Sequence, residues 1–240
     1  MKAVILAAGV GSRIRPLTDQ APKSLLEING STILGRMLTN IQKSGIKDVT
    51  IVTGYLEEKI KEFASSFTGL NIKYVRNDKF DKTNTAYSLM LTKKFIRDED
   101  FVKFDADVVF EQKILEKLIQ SPFKSALCID KNIHLDKEEV KVQLGTDGRV
   151  LKVGKKIDFN RASGESIGIE KIGKEAGKIL FGELEQLLKD PNKWNEYYDD
   201  SYTTLVELGI PFGAVDISGL KWVEIDTHED YAKAQKLFTK

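Results

Sequence analysis

The chain has 240 residues, 41% of them hydrophobic and 30% charged, enough apolar material for one large packed domain and too much for a disordered one. Lys and Arg number 37 against 36 Asp and Glu, a net charge of +1 that argues against a partner such as nucleic acid or an anionic membrane. No apolar run approaches the roughly 20 residues that cross a bilayer, and the lone Cys128 excludes an internal disulfide and a multi-cysteine zinc site, so a cytoplasmic protein is expected.

Lys2–Ala8 is a continuous apolar run that enters glycines without a stop, the pattern of a buried first strand rather than of a leader peptide. Ile33–Ser44 sets Ile33, Leu34, Met37, Leu38 and Ile41 on one helical stripe, with Gly45 where a left-handed stop belongs. Val49–Thr53 predicts a strand, Leu56–Phe63 a helix, Ile72–Arg76 a strand, and Thr85–Phe95 a helix opened by Asn84. Asp100–Phe104 is a strand running into Asp105-Ala106-Asp107; a helix over Glu111–Gln120 and a strand over Ser125–Ile129 follow. Val140–Leu144 and Val150–Val153 flank the turn signal Thr146-Asp147-Gly148 and predict a hairpin. Ser166–Glu170 is a strand, Lys174–Lys189 and Asp199–Leu208 are helices, Phe212–Val215 and Trp222–Ile225 are short strands, and Thr227 caps a last helix carrying Tyr231 and Ala234. Such alternation implies an α/β fold, a parallel sheet with helices on both faces. Residues 1–240 are expected to form one domain, with irregular portions around 131–165 and 190–205.

The most informative stretch is Leu6-Ala7-Ala8-Gly9-Val10-Gly11-Ser12-Arg13-Ile14-Arg15-Pro16-Leu17-Thr18, followed by Ala21-Pro22-Lys23. Glycines after a strand let backbone N–H groups come close to a phosphate or a base. Arg13, Arg15 and Lys23 add three cations, enough for a triphosphate. A dinucleotide fingerprint fails because Ile14 stands where its third glycine belongs, and Pro16 would break the helix that should follow. Gly173-Lys174-Glu175-Ala176-Gly177-Lys178 is one residue short of a P-loop and lacks its hydroxyl residue. A surface turn with solvated basic residues is the plain alternative.

The run from Gly9 to Thr18, with Pro22-Lys23, resembles the signature loop of the sugar-phosphate nucleotidylyltransferases, and the resemblance covers the whole chain. Asn84 with Tyr87-Ser88-Leu89, Asp105-Ala106-Asp107 and Glu224-Ile225-Asp226 are similar to the cytidylyltransferase branch typified by CTP:phosphocholine cytidylyltransferases. The Gln-Pro and Gly-Leu-Ala segments usual in the hexose-1-phosphate branch are absent near residue 84. The resemblance implies a Rossmann-like nucleotide-diphospho-sugar transferase fold, a mixed, mostly parallel sheet flanked by helices. It also implies an enzyme that joins CTP to a small phosphorylated acceptor with Mg²⁺ as cofactor, with a homodimer left open.

By the same resemblance, Leu6, Ala7, Ala8, Gly9, Gly11, Ser12, Asn84, Ser88 and Asp105 receive the nucleotide, Arg13 its β,γ-phosphates, and Lys23 its α-phosphate and the incoming oxygen. Asp107 and Asp226 hold the metal, and Glu224 is a neighbouring solvated or supporting acid. Asn84 as a plain helix cap and Ser88 as a buried hydroxyl are the alternatives. At the acceptor end the resemblance points to Lys155, with Lys156 as substitute, for the acceptor phosphate, and to Glu165, Tyr198 and Asp199 for an ammonium or hydroxyl. Aromatic faces beside a carboxylate bind such cations well, although Tyr198 and Tyr202, four apart, could equally pack one helix face into the core. Phosphocholine or a similar amine is the first expectation. Inositol 1-phosphate, aminoethylphosphonate and hexose-1-phosphate uridylyl or thymidylyl transfer are the alternatives, with a non-catalytic nucleotide-sensing subunit behind them. No covalent nucleophile is expected: Cys128 lies in a buried strand, and His134 and His228 have no convincing partners.

Overall fold

The computed structural model describes residues 1–96, 98–132 and 137–239. The chain opens with β1 (Lys2–Ala7), the glycine loop, and a two-residue ribbon of β2 (Glu27–Ile28) and β3 (Ser31–Thr32). Then come α1 (Ile33–Lys43), β4 (Asp48–Thr53), α2 (Glu57–Ser65), β5 (Asn71–Arg76), α3 (Thr85–Met90) and α4 (Lys93–Ile96). They are followed by β6 (Phe101–Asp105), β7 (Val108–Phe110), α5 (Gln112–Gln120), β8 (Ala126–Asp130), and the hairpin β9 (Lys141–Leu144) and β10 (Val150–Gly154). The chain closes with β11 (Gly164–Ile172), α6 (Lys174–Leu187), α7 (Asp199–Glu207), β12 (Gly213–Asp216), β13 (Trp222–Glu224) and α8 (His228–Leu237).

Among the described residues nine strands form the main sheet, with the run β10-β9-β11-β6-β1-β4-β5, β8 beside β11, and β12 beside β8. β6, β1, β4 and β5 are parallel, as strands joined by crossover helices must be. The apolar run of β1 is buried on both faces: Ala3, Ile5 and Ala7 face α1, α2 and α5, while Val4 and Leu6 face α3, α6 and α7. A smaller third cluster, with Ile14, Ile28, Val109, Ile225 and Ala234, lies under the glycine loop and α8.

Three features depart from the linear pattern. The expected helix over 85–95 is broken after Met90, where the buried Thr92 hydroxyl donates to the Leu89 carbonyl at 2.7 Å and competes with the helical bonds. β11 is nine residues long and runs antiparallel to β6, β8 and β9, so the second half of the sheet is mixed, with β12 parallel to β8. β7 pairs with β13 in a small antiparallel ribbon off the main sheet, and β7 has no counterpart in the sequence pattern because three residues carry no period. Of the irregular portion around 131–165, much is the hairpin; His134 lies outside the described residues.

Candidate active site

One cleft gathers most of the residues singled out in the sequence. It lies over the carboxyl ends of β1 and β6, where open α/β sheets place their ligands. Its floor is Leu6, Ala7, Gly9, Gly11 and Ser12. Gly11 has φ 66°, and a Cβ there would stand 3.2 Å from the Lys23 Cβ, so only glycine lets the loop fold this closely over Lys23. The Thr18 hydroxyl donates to the Gly11 carbonyl at 2.8 Å and closes the loop. Ser12–Ile14 then makes one 3₁₀ turn that buries Ile14, which explains why this position is not the glycine of a dinucleotide site.

The cationic and anionic groups converge at one end. Lys23 Nζ lies 2.6 Å from Asp107 Oδ2 and 2.8 Å from Asp226 Oδ1, and Arg13 reaches Asp226 Oδ2 at 2.7 Å. Burial works to lower the Lys23 ammonium, but Asp107 and Asp226 outweigh it and hold it above its ordinary value. For Asp226 burial works upward, and Lys23 and then Arg13 hold the carboxyl below its usual range. The β7–β13 pairing makes this meeting: Ile225 N donates to the Asp107 carbonyl at 3.1 Å, so Asp226 leaves its strand beside Asp107.

Glu224, expected as a neighbouring solvated or supporting acid, stands half-buried next to both. Burial raises its carboxyl well above the ordinary value, and the Asp107 and Asp226 charges add to this. Asp107, Glu224 and Asp226 each offer an oxygen within 4.8 Å of the others, and Asp107 Oδ1 is buried with no hydrogen-bond partner. Hard oxygen donors at this spacing fit a divalent cation such as Mg²⁺ or Ca²⁺.

Asn84 lines the cleft and also caps α3, its Oδ1 accepting from Thr85 N at 2.8 Å. Two expected nucleotide contacts stand elsewhere. Ala8 is buried in the sheet's second face, its carbonyl accepting from Tyr55 N, and Ser88 points into the core, its Oγ accepting from Asn77 Nδ2 at 3.1 Å. α3 is buried at Ala86, Ser88 and Leu89, the two apolar residues filling the layer next to the sheet.

At the opposite end stand Lys155, Glu165, Tyr197, Tyr198 and Asp199. Lys155, rather than the exposed Lys156, faces the cleft, with Nζ 4.8 Å above the Tyr197 ring and 3.7 Å from Glu138 Oε2. The aromatic-acid stretch divides: Trp194 packs at a tilt against Tyr87 with its Nε1 donating to the Leu188 carbonyl, and Tyr202 packs in the core, while Tyr197, Tyr198 and Asp199 reach the cleft. Tyr198 serves both alternatives. Its ring lies 5.5 Å from that of Tyr202, and its hydroxyl donates to Asp105 Oδ2. Asp105 therefore sits at the junction of the two ends. Burial pushes the Asp199 carboxyl up to about 7, against the pull of Lys103.

Lys103 and Glu170, absent from the candidates above, are both fully buried and paired at 2.7 Å beneath Asp105. A charge inside the otherwise apolar strand Phe101–Phe104 was the available signal. His228 is no acid or base in the cleft: its Nε2 meets the Arg15 carbonyl at 2.8 Å. Burial pushes the Cys128 thiol up, away from any nucleophilic role.

A glycine loop leading to a half-buried lysine, paired with a carboxylate cluster in an α/β cleft, is an arrangement suited to a phosphate-handling transferase. The chain belongs to the nucleotidyl transferase family, which matches residues 2–139. It is 29% identical to the CTP:phosphoglutamine cytidylyltransferase of Campylobacter jejuni, over 96% of this chain and 97% of that one. It is 26% identical to the choline-phosphate cytidylyltransferase of Streptococcus pneumoniae, over 99% and 98%. The inositol-1-phosphate CTP transferase from T. maritima shares the fold, with a TM-score of 0.79 and 24% identity over 98% of this chain and 95% of that one. The resemblance to cytidylyltransferases drawn from the sequence holds, and the protein is an enzyme of the nucleotidyltransferase class. No helix among the described residues is long and apolar enough to cross a membrane.

Proposed function

We propose that residues 1–240 act as one domain, a cytoplasmic, Mg²⁺-dependent cytidylyltransferase that joins CTP to a small phosphorylated amine, phosphocholine being the first choice. The observation that carries this reading is the division of one cleft into two ends: Arg13 and Lys23 beside Asp107 and Asp226 at one, Tyr197, Tyr198, Asp199 and Glu165 at the other. The nitrogen-bearing acceptors in the names of the Campylobacter and Streptococcus relatives support the amine. An acceptor phosphate oxygen attacks the α-phosphorus of CTP; the new P–O bond forms as the bond to the β-phosphate oxygen breaks, and pyrophosphate leaves. Such a transfer asks the protein chiefly for positioning and charge neutralisation.

Arg13, whose side chain is 62% exposed, is free to swing onto the β,γ-phosphates, and Lys23 lies deeper, where the α-phosphate and incoming oxygen would sit. Asp107 and Asp226, with Glu224 beside them, would hold the Mg²⁺, which when bound neutralises charge on the triphosphate. Leu6, Ala7, Gly9, Gly11, Ser12, Asn84 and Asp105 would receive the nucleotide, and Lys155 the acceptor phosphate.

Pyrophosphate release by the purified protein with Mg²⁺ tests this, with CTP, UTP, dTTP, ATP and GTP each offered phosphocholine, phosphoethanolamine, aminoethylphosphonate, inositol 1-phosphate and glucose 1-phosphate. CTP-selective turnover with an amine is expected. CTP with inositol 1-phosphate alone would keep the mechanism and remove the amine; UTP or dTTP with glucose 1-phosphate would overturn the branch. Lys23→Ala should lower kcat by about 10²–10³, the cost of removing one preorganised charge, with the fold intact by circular dichroism. A folded, fully active Lys23→Ala enzyme would sink the assignment.

A further inference from the structure

Lys103 lies in β6 between apolar neighbours, and the strand's alternation puts it with Phe101 and Asp105 on the face covered by α6 and α7. Its side chain is fully buried. Nζ stands 2.9 Å from Asp105 Oδ2, 2.7 Å from Glu170 Oε2 and 3.2 Å from the Gly168 carbonyl, and it also meets the Tyr198 hydroxyl, 3.8 Å from the centre of that ring. The backbone makes room for this group: β11 slips register between Ser166 and Glu170, and Gly168, at φ 73°, is where a Cβ would stand 2.5 Å from Asp105 Oδ2.

Sheet stability does not call for such a cluster. Lys103 and Glu170 face each other across β6 and β11, and an apolar pair of similar volume at those positions is commonly as stable as a buried ion pair. What an apolar pair cannot do is hold the Tyr198 hydroxyl. Tyr198 opens α7, and the next residue is Asp199, so whatever fixes Tyr198 also fixes the acid at the far end of the cleft. Asp105, which accepts from that hydroxyl while Lys103 donates to it, ends the strand that leads to Asp107.

We propose that Lys103 is a positioning residue for the acceptor end of the cleft: its buried ammonium locks the Tyr198 hydroxyl onto Asp105 and so sets the start of α7, with Asp199, at a fixed distance from the nucleotide end. The proposal rests on the reading of that end as the acceptor site, and on no particular acceptor.

The double variant Lys103→Met/Glu170→Met removes the ammonium without stranding its registered partner. With phosphocholine as the first probe and inositol 1-phosphate as the second, its acceptor KM should rise about tenfold, the effect of one lost buried hydrogen bond. Its CTP KM, and kcat at saturating acceptor, should stay within about twofold of the parent, and its thermal midpoint should not fall. A purely structural pair predicts the opposite, and an unchanged acceptor KM in the folded double variant overturns the proposal.

Should the double variant fail to fold, Tyr198→Phe keeps every charge and removes only the hydroxyl; the same acceptor KM rise is expected, and its absence overturns the proposal equally. Combining all three substitutions should add nothing to Tyr198→Phe, whereas an additive rise would show that Lys103 does not act through Tyr198. A parent enzyme that turns over inositol 1-phosphate but not phosphocholine would defeat the amine reading alone, and the KM comparison would then be made on the inositol ester.

Discussion

An ammonium seated between two carboxylates serves catalysis only if something else can take those carboxylates over. Lys23 is in this position: Asp107 and Asp226 hold it now, and a divalent cation bound to the same two acids would release it toward a phosphate. Arg13 shares Asp226 in the same way. These cations were legible in the sequence because the loop that carries them is contiguous. Lys103 was not, since its meaning depends on Glu170 and Tyr198, which only the fold brings to it. At the proposed acceptor end the titration of Asp199 gives a directional test. Burial raises its carboxyl to about 7, with Asp105 and Asp200 adding to the rise and Lys103 opposing it. The group is thus neutral below that point and charged above it. For a cationic acceptor, kcat/KM should increase up to about tenfold between about pH 6 and 8, following the ionised fraction. Asp199→Asn should flatten this rise, and a profile with the same slope in the variant would exclude Asp199 as its source.

The helix that follows Asp226 shows how an element's ends serve a site. Thr227 caps α8, its hydroxyl accepting from Asp230 N while Asp230 accepts from Thr227 N, a capping box legible in the sequence only as far as the cap itself. Asp230 Oδ2 also accepts from Asp226 N at 3.2 Å, so the cap orients the backbone of a cleft acid. Thr227→Ala should cost about 1 kcal/mol in urea unfolding, the usual loss for such a cap. It should also raise the Mg²⁺ concentration needed for half-maximal activity about threefold, as expected when a ligand's outer support is loosened. A stability loss with an unchanged Mg²⁺ dependence would separate the cap from the site. Elsewhere the element boundaries follow from periodicity and punctuation: Gly45 ends α1 at φ 78°, and Asn84 caps α3 as its position suggested. Thr92 breaks the expected helix through a local hydroxyl bond, and β7 escapes notice because its pairing partner, β13, lies far along the chain.

On the scale of the molecule, two apolar layers clamp the sheet, and Cys128 of β8 lies within one of them. A thiol so buried, its ionisation pushed up by burial and by the Glu170 charge, should resist a disulfide reagent such as DTNB in the native protein and react fully in denaturant; rapid native-state labelling would mean that β8 opens readily. The strands and helices of the first half, the glycine loop and its cations could be recognised in the sequence because each depends on neighbours within about a dozen residues, where periodicity and turn chemistry act. The placement of Ser88 inside and Asn84 outside, the entry of Glu224 into the carboxylate group, and the antiparallel course of β11 were decided by the fold. Lys23 and Asp226 are 203 residues apart along the chain and 2.8 Å apart in space. No local rule spans that separation; the sheet order and the β7–β13 ribbon do.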